Sequence, residues 1–415
     1  MAIPNVDISV RNGGLGYTAN ASDGIQAIVG RISSAEFVDK SGTAIPAGSQ
    51  IATDKPTQFG TLDALIAACG TGVVAQAAAL ILETGHPVVV CRAKDNADAS
   101  GTEGQPGYVA AVTFQTAILD SVDALKNSQL TFELVHVVCD ASTGVSPTYP
   151  TVPLTAGNSG TAQALITALD AKGPAFFAAH HYDGAFFVLE LEENSGSGAP
   201  ALNSAVSDYV AVVQGFGTST NPISGAAQKN PLAWAACQRC ASVGLGRDLA
   251  ATRDGPLVGV SAIAHDEVSD AGACDAAGIT TARTFPRHAG VYLTNARILS
   301  ASTSDFKYWQ HRRVMNAACA AAYDYLFTLL SSDVTVDTQT GHISEPAAKA
   351  IEANVESAVS DRVGEWVSGV SAEVDRLENI LSTETLKVTV GIVPLGYLKQ
   401  IKVTIGFTNP ALAAV

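Results

Sequence analysis

The chain has 415 residues, 47% of them hydrophobic and only 15% charged, with a formal net charge of −15. About 25% charged residues is usual for a soluble protein, so the low figure points either to a large buried interior or to surface that meets other subunits, whose contact cores are poor in charge. The acidic balance excludes partners that need a basic field, such as nucleic acid or an anionic membrane, and the length calls for two or three domains of about 100–200 residues.

The opening, Met1-Ala2-Ile3-Pro4-Asn5, has neither the basic nor the apolar region of a secretory leader. Val6, Ile8 and Val10 then alternate with Asp7, Ser9 and Arg11, which predicts a strand ended by Asn12-Gly13-Gly14. A second start, Ser22-Asp23-Gly24, leads into the apolar run from Ile25. Residues 62–82 read as helical, with Gly70-Thr71-Gly72 splitting them into two buried helices. Acids rather than Lys or Arg flank that run, which argues against a membrane span. Strands are predicted at 86–91, 132–139 and 175–179, helices at 119–125 and 161–169, and a loop at 93–107. Helices alternating with short apolar runs predict βαβ units and a mostly parallel sheet. Residues 193–200 read as a surface loop, 232–251 as a helix and 257–264 as a buried strand.

The last third changes character. A helix is predicted over 306–330. Ser344-Glu345-Pro346 signals another helix start. From there Ile351, Val355, Val359, Val363, Trp366, Val370, Val374, Leu377 and Leu381 recur at steps of three and four, which predicts one amphipathic helix, or two in line with a bend at Gly364 or Gly369. Residues 345–381 hold eight acids and three bases, a charge of −5. Period two then returns at Leu386, Val388, Val390 and Ile392. After the turn Pro394-Leu395-Gly396, residues Tyr397, Lys399, Ile401, Val403, Ile405 and Phe407 fall on one face of a last strand. A strand this apolar at a chain end needs a partner, or its edge invites aggregation.

Catalytic signatures are scarce. The sequence has no phosphate-binding GxxxxGK[ST], no GxSxG and no HExxH. Gly244-Leu245-Gly246 is half a dinucleotide fingerprint without its third glycine. Cys237-Gln238-Arg239-Cys240 is a lone CxxC without the second pair that zinc requires, and reads as two thiols one turn apart on a helix. The seven cysteines are too dispersed for a disulfide framework; buried reduced thiols are expected. His180-His181-Tyr182-Asp183 and His265-Asp266-Glu267 end predicted strands, where α/β enzymes hold ligands. They define a rival reading, a metal-dependent α/β hydrolase using His180 and His265. Adjacent strand residues point to opposite faces, however, so each cluster offers only one or two ligands. No catalytic, cofactor-binding or metal-binding residue is assigned, and no cofactor is expected.

One ordered pattern is distinctive. Gly278-Ile279-Thr280-Thr281-Ala282-Arg283-Thr284-Phe285-Pro286 leads through Gly290-Val291-Tyr292-Leu293 and Arg297-Ile298-Leu299 to Ser304-Asp305-Phe306-Lys307-Tyr308-Trp309 and Arg312-Arg313-Val314. With the opening strand and Asp23-Gly24, the Ala/Gly-rich helix from Leu232, and the closing Tyr397-Leu398-Lys399-Gln400-Ile401 to Asn409-Pro410, this resembles the phage contractile tail sheath proteins, in particular a divergent group long carried as a domain of unknown function. The resemblance covers both ends and residues 230–330, and little of residues 30–230.

The resemblance implies a structural, non-enzymatic subunit. Such subunits form six-membered rings stacked helically around an inner tail tube, between a baseplate and a tail terminator, and contraction drives the tube through the host envelope. It places the protein in a phage tail assembled in the bacterial host cytoplasm. It also implies arms that add strands to neighbouring subunits; here the candidates are Val6, Ile8 and Val10 at one end and Ile401, Val403 and Ile405 at the other. The alternative for each is a strand paired within its own sheet. The implied fold is α/β (α+β overall): an arm at 1–20, an inserted α/β outer domain at 21–279, a mixed-sheet inner domain at 280–390 completed by the chain ends, and an arm at 391–415. The charge layout fits head-to-tail contacts. Arg283, Arg287, Arg297, Lys307, Arg312 and Arg313 face only Asp305 within residues 281–313, a local +5. The acidic stretch with Glu352, Glu356, Asp361 and Glu365 is a candidate partner for it or for the tube. A non-contractile self-assembling protein is the second rival.

Overall fold

The computed structural model describes residues 23–95, 113–128, 130–138, 159–179, 185–191, 202, 205–266 and 272–403. The arm at 1–20 with Val6, Ile8 and Val10, most of the 93–107 loop, His180 to Asp183, the 193–200 loop, Glu267 and Ile405 lie outside these residues.

The expected βαβ pattern is present. β1 (Gln26–Arg31) is central, followed by β2 (Thr57–Phe59), α1 (Leu62–Cys69), α2 (Val73–Leu82), β3 (Val88–Ala93), α3 (Phe114–Lys126), β4 (Leu134–Val137), α4 (Ser159–Ala179), β5 (Phe186–Leu191) and β6 (Val210–Gln214). The six strands form one sheet in the order β2-β3-β1-β4-β5-β6, parallel except for β2. Strands covered on both faces read as continuous apolar runs. Successive residues of these runs serve opposite cores. Ile28, Val88, Val90, Phe186 and Val188 pack with α1, α2 and a later helix. Ala27, Val29, Val89, Cys91, Phe187 and Leu189 pack with α3 and α4.

Local chemistry sets the helix ends. The Thr61 hydroxyl accepts from Ala64 N–H at the start of α1, and Thr113 does the same for α3 from Thr116, which extends α3 five residues ahead of its expected start. Between α1 and α2 the chain turns at Gly70, whose φ is +74° and whose absent Cβ would overlap the Glu36 carbonyl. The Glu36 side chain then accepts from Val73 N–H at 3.1 Å and caps α2.

Four expectations are corrected. Residues 175–179 are the last turn of α4, not a strand. Gly173-Pro174 looks like a helix stop, but the helix passes through Pro174 and seats Phe176 between Phe132 and Phe187, with centroids 5.8 and 5.7 Å away. The strand comes later, as β5. The region from 206 to 231 holds strands that were not expected: β6, β7 (Phe216–Thr220) and β8 (Ala227–Pro231). Helix α5 (Leu232–Ser242) stops well short of residue 251. β9 (Val260–Ile263) is mostly exposed, not buried, because it joins a small antiparallel sheet, β8-β7-β9, rather than the main one.

After the one-turn α6 (Ala273–Ala276), the hairpin β10 (Ala282–Phe285) and β11 (His288–Leu293) and the long α7 (Trp309–Phe327) follow. Residues from Ile279 to Trp309 contribute to the two cores of the main sheet. The third core starts at Val314 and joins α7 to α8 (Glu345–Val363), β12 (Val367–Val374) and β13 (Val388–Pro394), with Leu245 as an earlier member. The fourth correction lies in this core. The helix expected to reach Leu381 ends at Val363, and Val370 and Val374 lie on β12. A spacing of four residues satisfies period two as well as period 3.6, and Val370, Ala372 and Val374 also alternate with Ser371 and Glu373. β13, the strand that the alternation at 386–392 predicts, pairs antiparallel with β12. The whole is α+β: a mostly parallel sheet between helices, with small antiparallel sheets attached. No helix of the described residues is long and apolar enough to cross a membrane.

Candidate assembly surface

The basic stretch does not present six charges outward. Arg312 is 4% exposed, with its guanidinium 4.0 Å from the Tyr209 ring centroid, 4.8 Å from Phe306 and 5.4 Å from Phe177. Arg313 is 3% exposed and donates to Glu133 at 3.0 and 3.2 Å and to the carbonyls of Val243 and Gly244. Burial pushes the Glu133 carboxyl up, against the pull of Arg313. Arg297 donates to the Asp275 carbonyl and lies over Tyr308. These three bind within the subunit. Arg283, stacked on Phe285 at 4.2 Å, is half-buried, and Arg287 is exposed at the tip of the β10–β11 turn with φ +66°.

The acids divide in the same way. The Glu356 carboxylate accepts from Ala372 N–H and that of Glu352 from Val374 N–H, both at 2.8 Å. Arg376 joins Glu352 to Glu345. Asp361 and Glu365 are exposed. Glu365 shares one cleft with Arg283, Arg247, Trp366 and Tyr397. A Cβ at Gly244 or Gly246 would collide with Trp366, so the half-fingerprint is a packing site for this indole rather than a phosphate loop.

The C-terminal segment is anchored and then left bare. The Tyr397 hydroxyl donates to the Gly246 carbonyl at 2.8 Å, and Lys399 pairs with Asp248 and lies over the Tyr308 ring. Burial pushes the Tyr397 phenol up to about 12. Beyond the anchor, Leu398, Ile401 and Val403 are 87%, 75% and 71% exposed, and residues 395–403 belong to no strand. At the other end of the described residues, Arg362 of α8 grips Asp23 with both terminal nitrogens.

The rival enzyme site has little support. Residues 175–179, expected as the strand that leads to His180, are helical. Asp266 is engaged by Thr284, whose N–H it accepts at 2.9 Å. Among the described residues no group of three His, Cys, Asp or Glu could hold a metal. Cys237 and Cys240 are buried, with thiols pushed up by burial. Sequence reasoning missed the buried trio in which the Glu190 carboxylate meets His136 Nε2 at 2.9 Å and accepts from Trp234 Nε1 at 2.6 Å. An acid and a histidine within apolar runs were its only signal.

No curated protein matches the sequence. Solved structures do. A chain of the contracted PVC sheath complex, from an extracellular contractile injection system, aligns with a TM-score of 0.61 at 12% identity, covering 100% of this chain and 99% of that one. A chain of the anti-feeding prophage baseplate aligns at 0.56 and 15% identity over 99% and 100%. A chain of the contracted anti-feeding prophage helical sheath aligns at 0.55 and 15% identity over 98% and 99%. The likeness is one of fold, end to end. Residues 3–297 match the N-terminal domain of DUF2586 and residues 305–412 its C-terminal domain, and the chain therefore belongs to the DUF2586 family.

Proposed function

We propose that this chain is the structural sheath subunit of a contractile particle. Its copies form six-membered rings that stack helically around an inner tube, bounded by a baseplate and a terminator. The lattice stores free energy in an extended state and releases it by contraction, in a phage tail built in the host cytoplasm. The observation that carries this reading is a fold shared along the full length with chains of contractile injection systems. The bare segment beyond Tyr397 supports strand exchange between copies, since main-chain pairing can survive rotation of the bodies about short turns. The arms are residues 1–20, with Val6, Ile8 and Val10, and 391–415, with Ile401, Val403 and Ile405; between them lie the domains 21–279 and 280–390, the second packing its residues up to Trp309 into the cores of the first. The half-buried Arg283 and exposed Arg287 on one copy, and the exposed Asp361 and Glu365 on the next, supply the opposite charges.

Imaging of the purified protein tests this. Wide, ridged, hollow cylinders are expected, and a variant truncated after Leu395 should remain a folded monomer. Unimpaired assembly of the truncated chain would refute the role of the C-terminal arm.

A further inference from the structure

Helix α5 is buried from Leu232 to Ala241, yet it meets the main sheet through one polar tie per turn. Trp234 Nε1 donates to Glu190 Oε1 of β5 at 2.6 Å, and His136 Nε2 of β4 meets the same oxygen at 2.9 Å. One turn on, the Cys237 carbonyl accepts from Gln26 Nε2 of β1 at 2.7 Å. One turn further, the Cys240 thiol lies 3.6 Å from Glu133 Oε1. Arg313 of α7 holds the other Glu133 oxygen and donates to the carbonyls of Val243 and Gly244, just past the helix end. The segment that follows is the seat of the unit made by α8, β12 and β13. Trp366 fills the space at Gly244 and Gly246, the Tyr397 hydroxyl bonds the Gly246 carbonyl, Lys399 pairs with Asp248, and Leu245 belongs to the third core.

Gln26 shows that stability is not what this stripe supplies. It is wholly buried, its one side-chain bond among the described residues goes to α5, and its Oε1 has no hydrogen-bond partner there. A buried oxygen left unpaired is costly, and a leucine would avoid that cost. What the bond supplies is direction. Apolar contact scales with area and is non-directional, so it resists a small slide of the helix weakly. A hydrogen bond fades steeply once donor and acceptor lose alignment, and fixing register is the best-attested use of buried polar groups. The geometry points to a register lock. Glu190, Gln26 and Glu133 are positioning residues: they hold α5 at one place along the sheet. Through α5 they hold the 243–248 seat, and with it the α8–β12–β13 unit, in one orientation on the main body. The inference goes beyond the sheath-subunit reading and stands without it. In a sheath subunit the same lock would carry force between the two units.

Spin labels on the full, unassembled chain read the register directly. Asp120→Cys places one on the exposed surface of α3, beyond the far face of the sheet, and Ser382→Cys places the other in the exposed β12–β13 turn. Cys139→Ser and Cys319→Ser remove two competing thiols from the background. The parent should give one narrow distance by electron paramagnetic resonance. Gln26→Leu with Trp234→Phe deletes two donors and keeps the apolar bulk. That variant should remain folded in urea titrations while its distance distribution broadens by about 5 Å, one helical turn. A folded double variant with the parent's narrow distance makes the ties merely structural and overturns the lock. Should the double variant not fold, Gln26→Leu alone is read in the same way. Its urea midpoint should equal or exceed the parent's while the distance broadens; a lower midpoint with an unchanged distance refutes the proposal. Glu190→Gln keeps an oxygen for the indole and should keep the parent distance, whereas Glu190→Ala should broaden it. Equal distributions in those two variants contradict the role of Glu190. Because the free subunit is measured, a negative result counts against the lock and leaves the sheath reading untouched.

Discussion

Arg313 shows how a residue that reads as surface charge can be interior structure. Its guanidinium and the Glu133 carboxylate, 180 positions apart, are both buried and hydrogen-bonded to each other. Removing one partner of such a pair strands the other charge and costs about 3–5 kcal/mol, whereas replacing both with apolar groups of similar volume costs far less. Urea unfolding of Arg313→Ala should show that loss, with Arg313→Met plus Glu133→Leu recovering most of it. Arg313→Lys should not restore stability, since a single ammonium cannot serve the carboxylate and two carbonyls with the same planar fork. Glu352 makes a different prediction. Its contacts with Arg376 and with Val374 N–H lower its carboxyl from an ordinary 4.5 to about 2. A lowered carboxyl contributes stability that is complete above the unfolded value and fades as pH falls through the folded one. The Val374 amide should thus begin to exchange faster below about pH 4.5 and lose its protection near pH 2, with no such step in Glu352→Gln.

Among the elements, β3, β4 and the helix pair α1 and α2 were the most legible. Continuous apolar runs at β3 and β4 and the split helical run at α1 and α2 are one-dimensional patterns with direct structural meaning. Gly70 is the pivot of that split. Gly70→Ala should destabilise the fold by about 1–3 kcal/mol in thermal or chemical melts, through strain at positive φ and overlap with the Glu36 carbonyl. The misread elements have local causes. Gly173-Pro174 carries strong stop signals, but packing of Phe176 between two core rings outweighs them. The valines of β12 sit at a spacing common to helix and strand, and only docking against α8 separates the two. β7 and β8 are too polar to register as strands by pattern.

For the whole molecule, the division of charge sets the expected behaviour. With Arg297, Arg312 and Arg313 engaged within the subunit, the proposed pairing between copies is left to Arg283 and Arg287 against Asp361 and Glu365. Such contacts are screened beyond about 10 Å at 0.1 M salt, so assembled particles should loosen as salt is raised, and Arg287→Glu should bring that loosening to lower salt in turbidity or sedimentation assays. His265→Ala should leave assembly unchanged, which a hydrolase reading has no reason to expect. The sequence by itself determined the α/β alternation and the period-two runs at 386–392 and 397–407, because each is a periodicity carried by neighbouring residues. Only the tertiary structure decided which charges are buried, why Gly244 and Gly246 must be small, and which carboxylates meet the Ala372 and Val374 amides of β12. Those facts depend on groups brought together from distant positions, Arg313 to Glu133, Trp366 to Gly246 and Glu352 to Val374, and no local pattern encodes the meeting.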